Sequence, residues 1–279
     1  MLLMVETGDL EVLIMKKRII SAIVMILVFV PILIKGDIWF TGLMAICSLF
    51  GLYELMHTRD KKNKIPVYMK IVAYLFALVL CLNNSNDITS SYSINYQLIS
   101  AFIFVLLVPI VIINNNSKYN INDALYLLAC VLFIGFSFNL LIITRNYDLN
   151  YMIYLLLITI MTDTFAYFTG YLIGEHKLSP DISPNKTIEG SIGGSIMGTF
   201  IATCFYVTVI GGHNLLYVVG VTFLLTLVGQ LGDLVFSGIK RYYGKKDFSD
   251  LIPGHGGILD RLDSLIFVVL AFILFINIV

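Results

Sequence analysis

Nine runs of mainly apolar residues recur along the chain, and their length limits what it can become. They fall at about 19–35, 38–57, 66–83, 97–114, 123–143, 150–173, 190–211, 214–239 and 258–278. A helix needs roughly 20 such residues to cross the hydrocarbon core. In lipid every backbone N–H and C=O must be paired within the protein, which leaves helices or closed barrels. Runs of this length, without the alternation of a lipid-facing strand, specify helices. The third run is interrupted by Lys70. The chain has 279 residues, of which 58% are hydrophobic and 13% charged. Its mean hydropathy is +0.91. A soluble domain of this length has nowhere to place so much apolar surface. The fold class expected is therefore all-α, a polytopic membrane helical bundle forming one membrane domain over 1–279, with the N-terminal spans in about 1–150 and the catalytic spans in about 150–279.

Charge sets the expected orientation. With the N-terminus in the cytoplasm and nine spans, the inside receives Lys16, Lys17, Arg18, Arg59, Lys61, Lys62, Lys64, Lys70, Lys118, Lys177, Lys186, Lys240, Arg241, Lys245, Lys246 and Arg261. Only Lys35 and Arg145 remain outside. An even split would be expected by chance, so the C-terminus is placed outside. The run after Lys16-Lys17-Arg18 lacks a small-residue cleavage site, so a retained first span is expected rather than a signal peptide. Met15 resembles a natural start, with the first 14 residues as an extension. Acidic and basic residues balance at 18 each, and nucleic acid is not an expected partner. Cys47, Cys81, Cys130 and Cys204 lack metal-ligand spacing and read as buried small hydrophobes.

The chemistry concentrates between Gly229 and Asp263. Asp233 lies eight residues before Arg241, about 12 Å inside the helix end at helical rise. An ionised group at that depth needs a polar cavity or a cation. A helix that ends early, leaving Asp233 interfacial, is the plainer alternative. Asp260 and Asp263 open the last span at i and i+3 and can share a face. First-turn acids also compensate the helix dipole, an account nearly sufficient for Asp263. Asp260 follows a glycine turn and is the better placed to meet Asp233 across adjacent helices. Two carboxylates with phosphate oxygens and water suit Mg²⁺. Pro253-Gly254-His255-Gly256-Gly257 precedes a helix, where backbone amides can cradle phosphate. His255 could donate to that phosphate or only cap the turn.

A second polar loop reads Ser183-Pro-Asn-Lys186-Thr187-Ile-Glu189-Gly190. Ser183, Lys186 and Thr187 at a helix start form an anion-binding arrangement, although Thr187 could simply cap the helix and Lys186 could be a positive-inside residue. Gly190, Gly194 and Gly198 recur at four-residue spacing, as do Ala166, Gly170 and Gly174, which points to close helix packing. Asp163 lies deep in the sixth span and is either functional or a polar knot between helices. Lys35, Asp37, Glu54 and Asp123 lie near span ends, where interfacial placement accounts for them.

Ser237-Gly-Ile-Lys240-Arg241, Lys246-Asp247 and Leu251-Ile-Pro-Gly-His255-Gly256-Gly257-Ile-Leu-Asp260-Arg261-Leu-Asp263 together resemble the signature of the phosphatidate cytidylyltransferases, or CDP-diacylglycerol synthases. Asp163-Thr-Phe-Ala-Tyr with Gly170, and the Ser183–Gly190 loop, resemble two further motifs of that family. The resemblance covers roughly 155–279. It implies CTP and phosphatidate as substrates, CDP-diacylglycerol and pyrophosphate as products, and Mg²⁺, with K⁺ as a candidate second ion. Asp233 and Asp260 would hold the metals. Lys240, Arg241, Lys246, Asp247, His255, Arg261 and Asp263 complete the expected catalytic set, and Asp163, Ser183, Lys186, Thr187, Glu189, Gly256 and Gly257 the substrate-binding set. The charge-derived topology places the polar loops Glu175–Glu189 and Arg241–Gly257, and so the site, on the cytoplasmic side; the plasma (inner) membrane of a bacterium is the expected location and a homodimer a candidate assembly. A CTP-dependent polyprenol or dolichol kinase is the alternative, followed by an ion-coupled transporter using Asp163 and Asp233.

Overall fold

A computed structural model describes residues 2–60, 65–83, 96–113 and 119–276, with side chains from Met15 onward. The polar breaks expected at 59–64, 83–96 and 114–122 lie largely outside the described residues, as do Lys61, Lys62, Lys64, Lys118 and the chain end beyond 276.

Among the described residues the chain forms nine α-helices. They are α1 (Leu2–Lys35), α2 (Asp37–Asp60), α3 (Val67–Cys81), α4 (Tyr96–Ile113), α5 (Ile121–Tyr147), α6 (Leu149–Ile173), α7 (Ile188–Phe205), α8 (Leu215–Tyr242) and α9 (Leu259–Ile276). A π-helical turn, Tyr206–Ile210, continues α7. Among the described residues six helices are long and apolar enough to cross a membrane: Met15–Lys35, Asp37–Arg59, Ile121–Tyr147, Leu149–Ile173, Ile188–Ile210 and Leu215–Tyr242. Val67–Cys81 and Ile99–Val111 are shorter apolar helices. α9 carries Asp260, Arg261 and Asp263 in its first two turns. The chain is an integral membrane protein, and its exposed Ile, Leu and Val side chains on α1 are the surface such a helix presents to lipid.

Two features differ from expectation. α1 begins at Leu2 instead of near residue 19, because a polar preamble can still be helical. The loop after α6 contains a short antiparallel hairpin, β1 (Lys177–Ser179) with β2 (Ser183–Thr187), pairing Lys177 with Thr187 and Ser179 with Ser183. Pro184 is tolerated because a two-stranded hairpin consists of edges alone.

Side chains close the helix ends. Gly36, at φ +68°, turns α1 into α2. There Arg145 donates from Nε to the Leu33 carbonyl and from Nη2 to the Ile34 carbonyl, both at 2.7 Å, satisfying otherwise open helix carbonyls. At the opposite end, Asn120 and Asp123 form a reciprocal capping box that starts α5. Asp123 also binds Arg59 at 2.6 Å, with both side chains under a tenth exposed. Asp148 and Asn214 cap α6 and α8 through Asn150 N and Leu216 N.

The tightest helix pairing is α6 with α7. The small-residue stripes read from the sequence meet there. A Cβ on Gly190 would stand 2.6 Å from the Ala166 carbonyl oxygen, and one on Gly194 2.6 Å from that of Thr162. Only glycine permits such an approach, which is how packing substitutes for a hydrophobic force inside lipid.

The alternating chain sorts its connections to two ends. Ser21 of α1, Thr58 of α2 and the α8–α9 loop meet at one end, through Ser21 Oγ to Pro253 O and Lys245 Nζ to Thr58 Oγ1. Arg145 and the Gly36 turn occupy the other. The hairpin joins the first group through Arg241 Nε, which donates to Ile182 O. Both polar loops of the C-terminal half therefore lie at one end.

Gly194→Val is expected to lower stability by about 1–3 kcal/mol through overpacking. Gly220→Ala, whose added Cβ meets nothing within 4 Å, should not. Thermal unfolding of the two purified variants in one detergent checks the contrast.

Candidate active site

α8 runs unbroken to Tyr242, so Asp233 sits more than two turns inside the helix and the early-ending alternative fails. Its side chain is 26% exposed. Oδ2 forms an ion pair with Lys186 Nζ, brought from β2, and Oδ1 accepts from Ser237 Oγ one turn along α8 at 3.2 Å. Close α6–α7 packing places the hairpin at this height: Thr187 Oγ1, which accepts from Gly190 N to cap α7, lies only 2.8 and 2.7 Å from the positions a Cβ would take at Gly170 and Gly174, closer than a side chain there would allow. Thr187 thus acts as a cap, and Lys186 projects toward α8.

Asp163 of α6 and Asp263 of α9 complete a group around Asp233. Asp163 is close enough to interact electrostatically with both Lys186 and Asp233. Asp263 interacts with Asp233, Lys240 and Asp163. Asp263 Oδ1 also accepts from its neighbour Ser264 N at 2.7 Å. Three carboxyl groups from three helices, Asp163, Asp233 and Asp263, therefore lie within electrostatic reach of one another, with Lys186 and Lys240 the nearby ammonium groups.

Asp260 has a different environment. Only 3% of its side chain is exposed. Oδ1 accepts from Lys240 Nζ at 2.7 Å, and Oδ2 accepts from Phe248 N and Gly257 N, both at 2.9 Å. Lys240 is itself only 10% exposed and stands over the Phe248 ring at 5.5 Å. Asp233 and Asp260 are thus held by separate lysines, one at an open position and one in a closed socket.

The glycine turn is built tightly around that socket. Gly254 and Gly256 have φ of +77° and +84°, the left-handed region that favours glycine. Ile252 and Gly256 form a bridge. His255 places Nδ1 at 2.8 Å from Ser21 Oγ, and its carbonyl accepts from Arg261 Nε at 2.9 Å. His255 thus caps the turn against α1. Arg241 connects the two polar loops, donating from Nε to Ile182 O and from Nη1 to Lys245 O. Lys246 and Asp247 are exposed at the rim. Glu189 turns away, accepting from Glu175 N, His176 N and His176 Nδ1 and so closing the hairpin base. Ser183 pairs with Ser179 in the hairpin.

Sequence reasoning passed over Glu54. It is 1% exposed and accepts from Ser249 Oγ at 2.6 Å and from Ile258 N and Leu259 N at 2.9 Å. A carboxylate at a span end gives no sign of partners some 200 residues away.

As chemistry, the end of the bundle offers cations from two loops, amides in a glycine turn and carboxylates at two depths. That combination binds phosphate groups and a hard cation together. A profile of the Cytidylyltransferase family matches residues 16–279. A phosphatidate cytidylyltransferase of Staphylococcus aureus (strain COL) is 37% identical over 254 residues, covering 91% of this chain and 96% of the relative. One of Staphylococcus haemolyticus (strain JCSC1435) is 38% identical over 255 residues, with the same coverage. One of Staphylococcus epidermidis (strain ATCC 35984 / DSM 28319 / BCRC 17069 / CCUG 31568 / BM 3577 / RP62A) is 37% identical over 256 residues, again with 91% and 96% covered.

Removing one partner of the buried pair leaves the other charge uncompensated. Lys240→Met should therefore cost about 3–5 kcal/mol, and Asp260→Asn in the same chain should recover much of that loss. Unfolding midpoints of the single and double variants decide it; equal loss in both would show that the pair is not coupled.

Proposed function

The chain belongs to the Cytidylyltransferase family, and on that footing we propose that it transfers the cytidylyl group of CTP to phosphatidate, giving CDP-diacylglycerol and pyrophosphate. The observation that carries this reading is the convergence of Lys186 on Asp233 and Lys240 on Asp260 at one end of a membrane bundle. Soluble nucleotide and a lipid head group can meet only at such an end.

A phosphate oxygen of phosphatidate attacks the α-phosphorus of CTP in line. The new P–O bond forms as the bond to the β-phosphate oxygen breaks, and pyrophosphate leaves with that electron pair. A phosphate monoester has its second pKa near 6, so its oxygen is largely deprotonated near neutral pH and needs no general base. The chain's task is to hold two anions in line and offset their repulsion. Lys186, Lys240, Arg241, Lys246 and Arg261 supply positive charge, and the amides around Gly256 and Gly257 supply donors. Ser183 and Thr187 shape the opposing loop. Asp247, His255, Asp263, Glu189 and Asp163 order the cations and turns around them.

The residues fit a divalent ion. Asp233 is partly open, and its contacts are an ammonium and a hydroxyl, so its charge favours a cation there. Among the described residues no group of three or more His, Cys, Asp or Glu is arranged to hold a metal. Mg²⁺ suits that arrangement, because it takes one or two carboxylates and completes its shell with phosphate oxygens and water. Asp233 would hold it, and Asp260 would join only by giving up Lys240 or an amide of its socket, with K⁺ as a candidate second ion. When bound, Mg²⁺ supplies charge neutralisation between the two phosphate groups.

The N-terminus and both polar loops are assigned to the cytoplasmic side of a bacterial plasma membrane, with nine crossings and the C-terminus outside. The distribution of basic residues supports this. Phosphatidate reaches Asp233 sideways from the bilayer.

Purified protein given CTP, phosphatidate and Mg²⁺ is expected to release pyrophosphate and form CDP-diacylglycerol. Asp233→Asn and Asp260→Asn should each reduce the rate per folded molecule on the order of 10²-fold or more. Turnover near the wild-type rate in either variant would overturn the assignment.

A further inference from the structure

We infer that Glu54 is a positioning residue for the Asp260–Lys240 socket, so that α2, outside the family's signature, sets the geometry of the reacting end. This rests on the function proposed above. Glu54 and Asp260 divide the α8–α9 loop between them in an interleaved pattern. At the loop's beginning, Phe248 N donates to Asp260 and Ser249 Oγ donates to Glu54. At its end, Gly257 N donates to Asp260 and Ile258 N and Leu259 N donate to Glu54. Adjacent residues on both sides of the loop thus reach alternate carboxylates. Releasing one carboxylate loosens the residues that anchor the other.

The fit is close. A Cβ at Gly257 would collide with the Glu54 carboxylate, standing 2.6 Å from Cδ. Glu54 is 1% exposed, and its oxygens are engaged by a hydroxyl and two amides. It therefore acts on the reaction through the turn. Ile258 and Leu259 are the residues at which α9 begins, and their amides lack intrahelical partners. Glu54 supplies from another helix the carboxylate that a helix start favours. One turn later, Thr58 Oγ1 donates to the Glu54 carbonyl and accepts from Lys245 Nζ, extending the link to the loop's basic pair.

The amide nitrogen of Gln cannot accept, so Glu54→Gln retains the side chain's size while breaking this pattern. The test compares wild type, Glu54→Gln and Glu54→Ala for kcat and KM per folded molecule, thermal unfolding, and hydrogen exchange. Glu54→Gln is expected to lower kcat about tenfold or more in protein that remains folded. Exchange should quicken locally at Ile258, Leu259 and Gly257 and remain unchanged in α6 and α7. A kcat per folded molecule equal to wild type overturns the inference, as does exchange that quickens equally throughout the bundle. If wild type makes no CDP-lipid, the proposed function fails, and local exchange alone decides whether Glu54 holds the turn.

Discussion

A carboxylate removed from water must be answered by donors or a cation, and in this protein the demand falls on Asp260. With 3% of its side chain exposed, it takes an ammonium and two backbone amides. Leaving such a group unpaired costs far more than an ordinary hydrogen bond returns. The position of Lys240 on α8, the path of the loop through Phe248 and the conformation of the Gly256–Gly257 turn all follow from meeting that demand. The aromatic ring of Phe248 seals one side of the socket, itself packed against Phe236.

Around this closed socket the remaining elements bring an open one. The α6–α7 pair can approach closely because its facing residues are small, and that approach carries the hairpin and Lys186 to Asp233. Asp163 and Asp263 bring two further carboxyl groups within electrostatic reach of Asp233. An open carboxylate beside a rigid, neutralised one suits the handling of two phosphates proposed above. In the proposed reaction the socket keeps its shape while Asp233 exchanges its ammonium for substrate and ion. Ser21 and Glu54 connect the first two helices to the same turn, so the N-terminal half takes part in the site's shape as well as in membrane anchoring.

Most of the helical frame was legible because lipid imposes a blunt rule: each crossing needs a long apolar run. The ends of α5, α6 and α8 lie within a few residues of expectation, and the glycine stripes on α6 and α7 meet as their spacing required. What the rule cannot see went unforeseen. A helix over the polar residues before Met15 carries no apolar run, and strands of three and five residues with Pro184 in one of them leave no periodicity. Depth in a span marked Asp233 as a residue needing a partner, but local spacing could not pair it with Lys186, 47 residues earlier. Glu54 was hidden for the same reason: its partners begin 195 residues later. Arg59 and Asp123 likewise read as span-end charges and prove to be a buried pair.

The central claim is that the nucleotidyl group, and not the terminal phosphate, passes to the lipid at this site. Purified protein should therefore be supplied with phosphatidate and CTP labelled at either the α- or the γ-phosphate, and the lipid extract counted. The account predicts that α-label enters the lipid fraction while γ-label is recovered as pyrophosphate. Label from the γ-phosphate in the lipid, with CDP released, would contradict it.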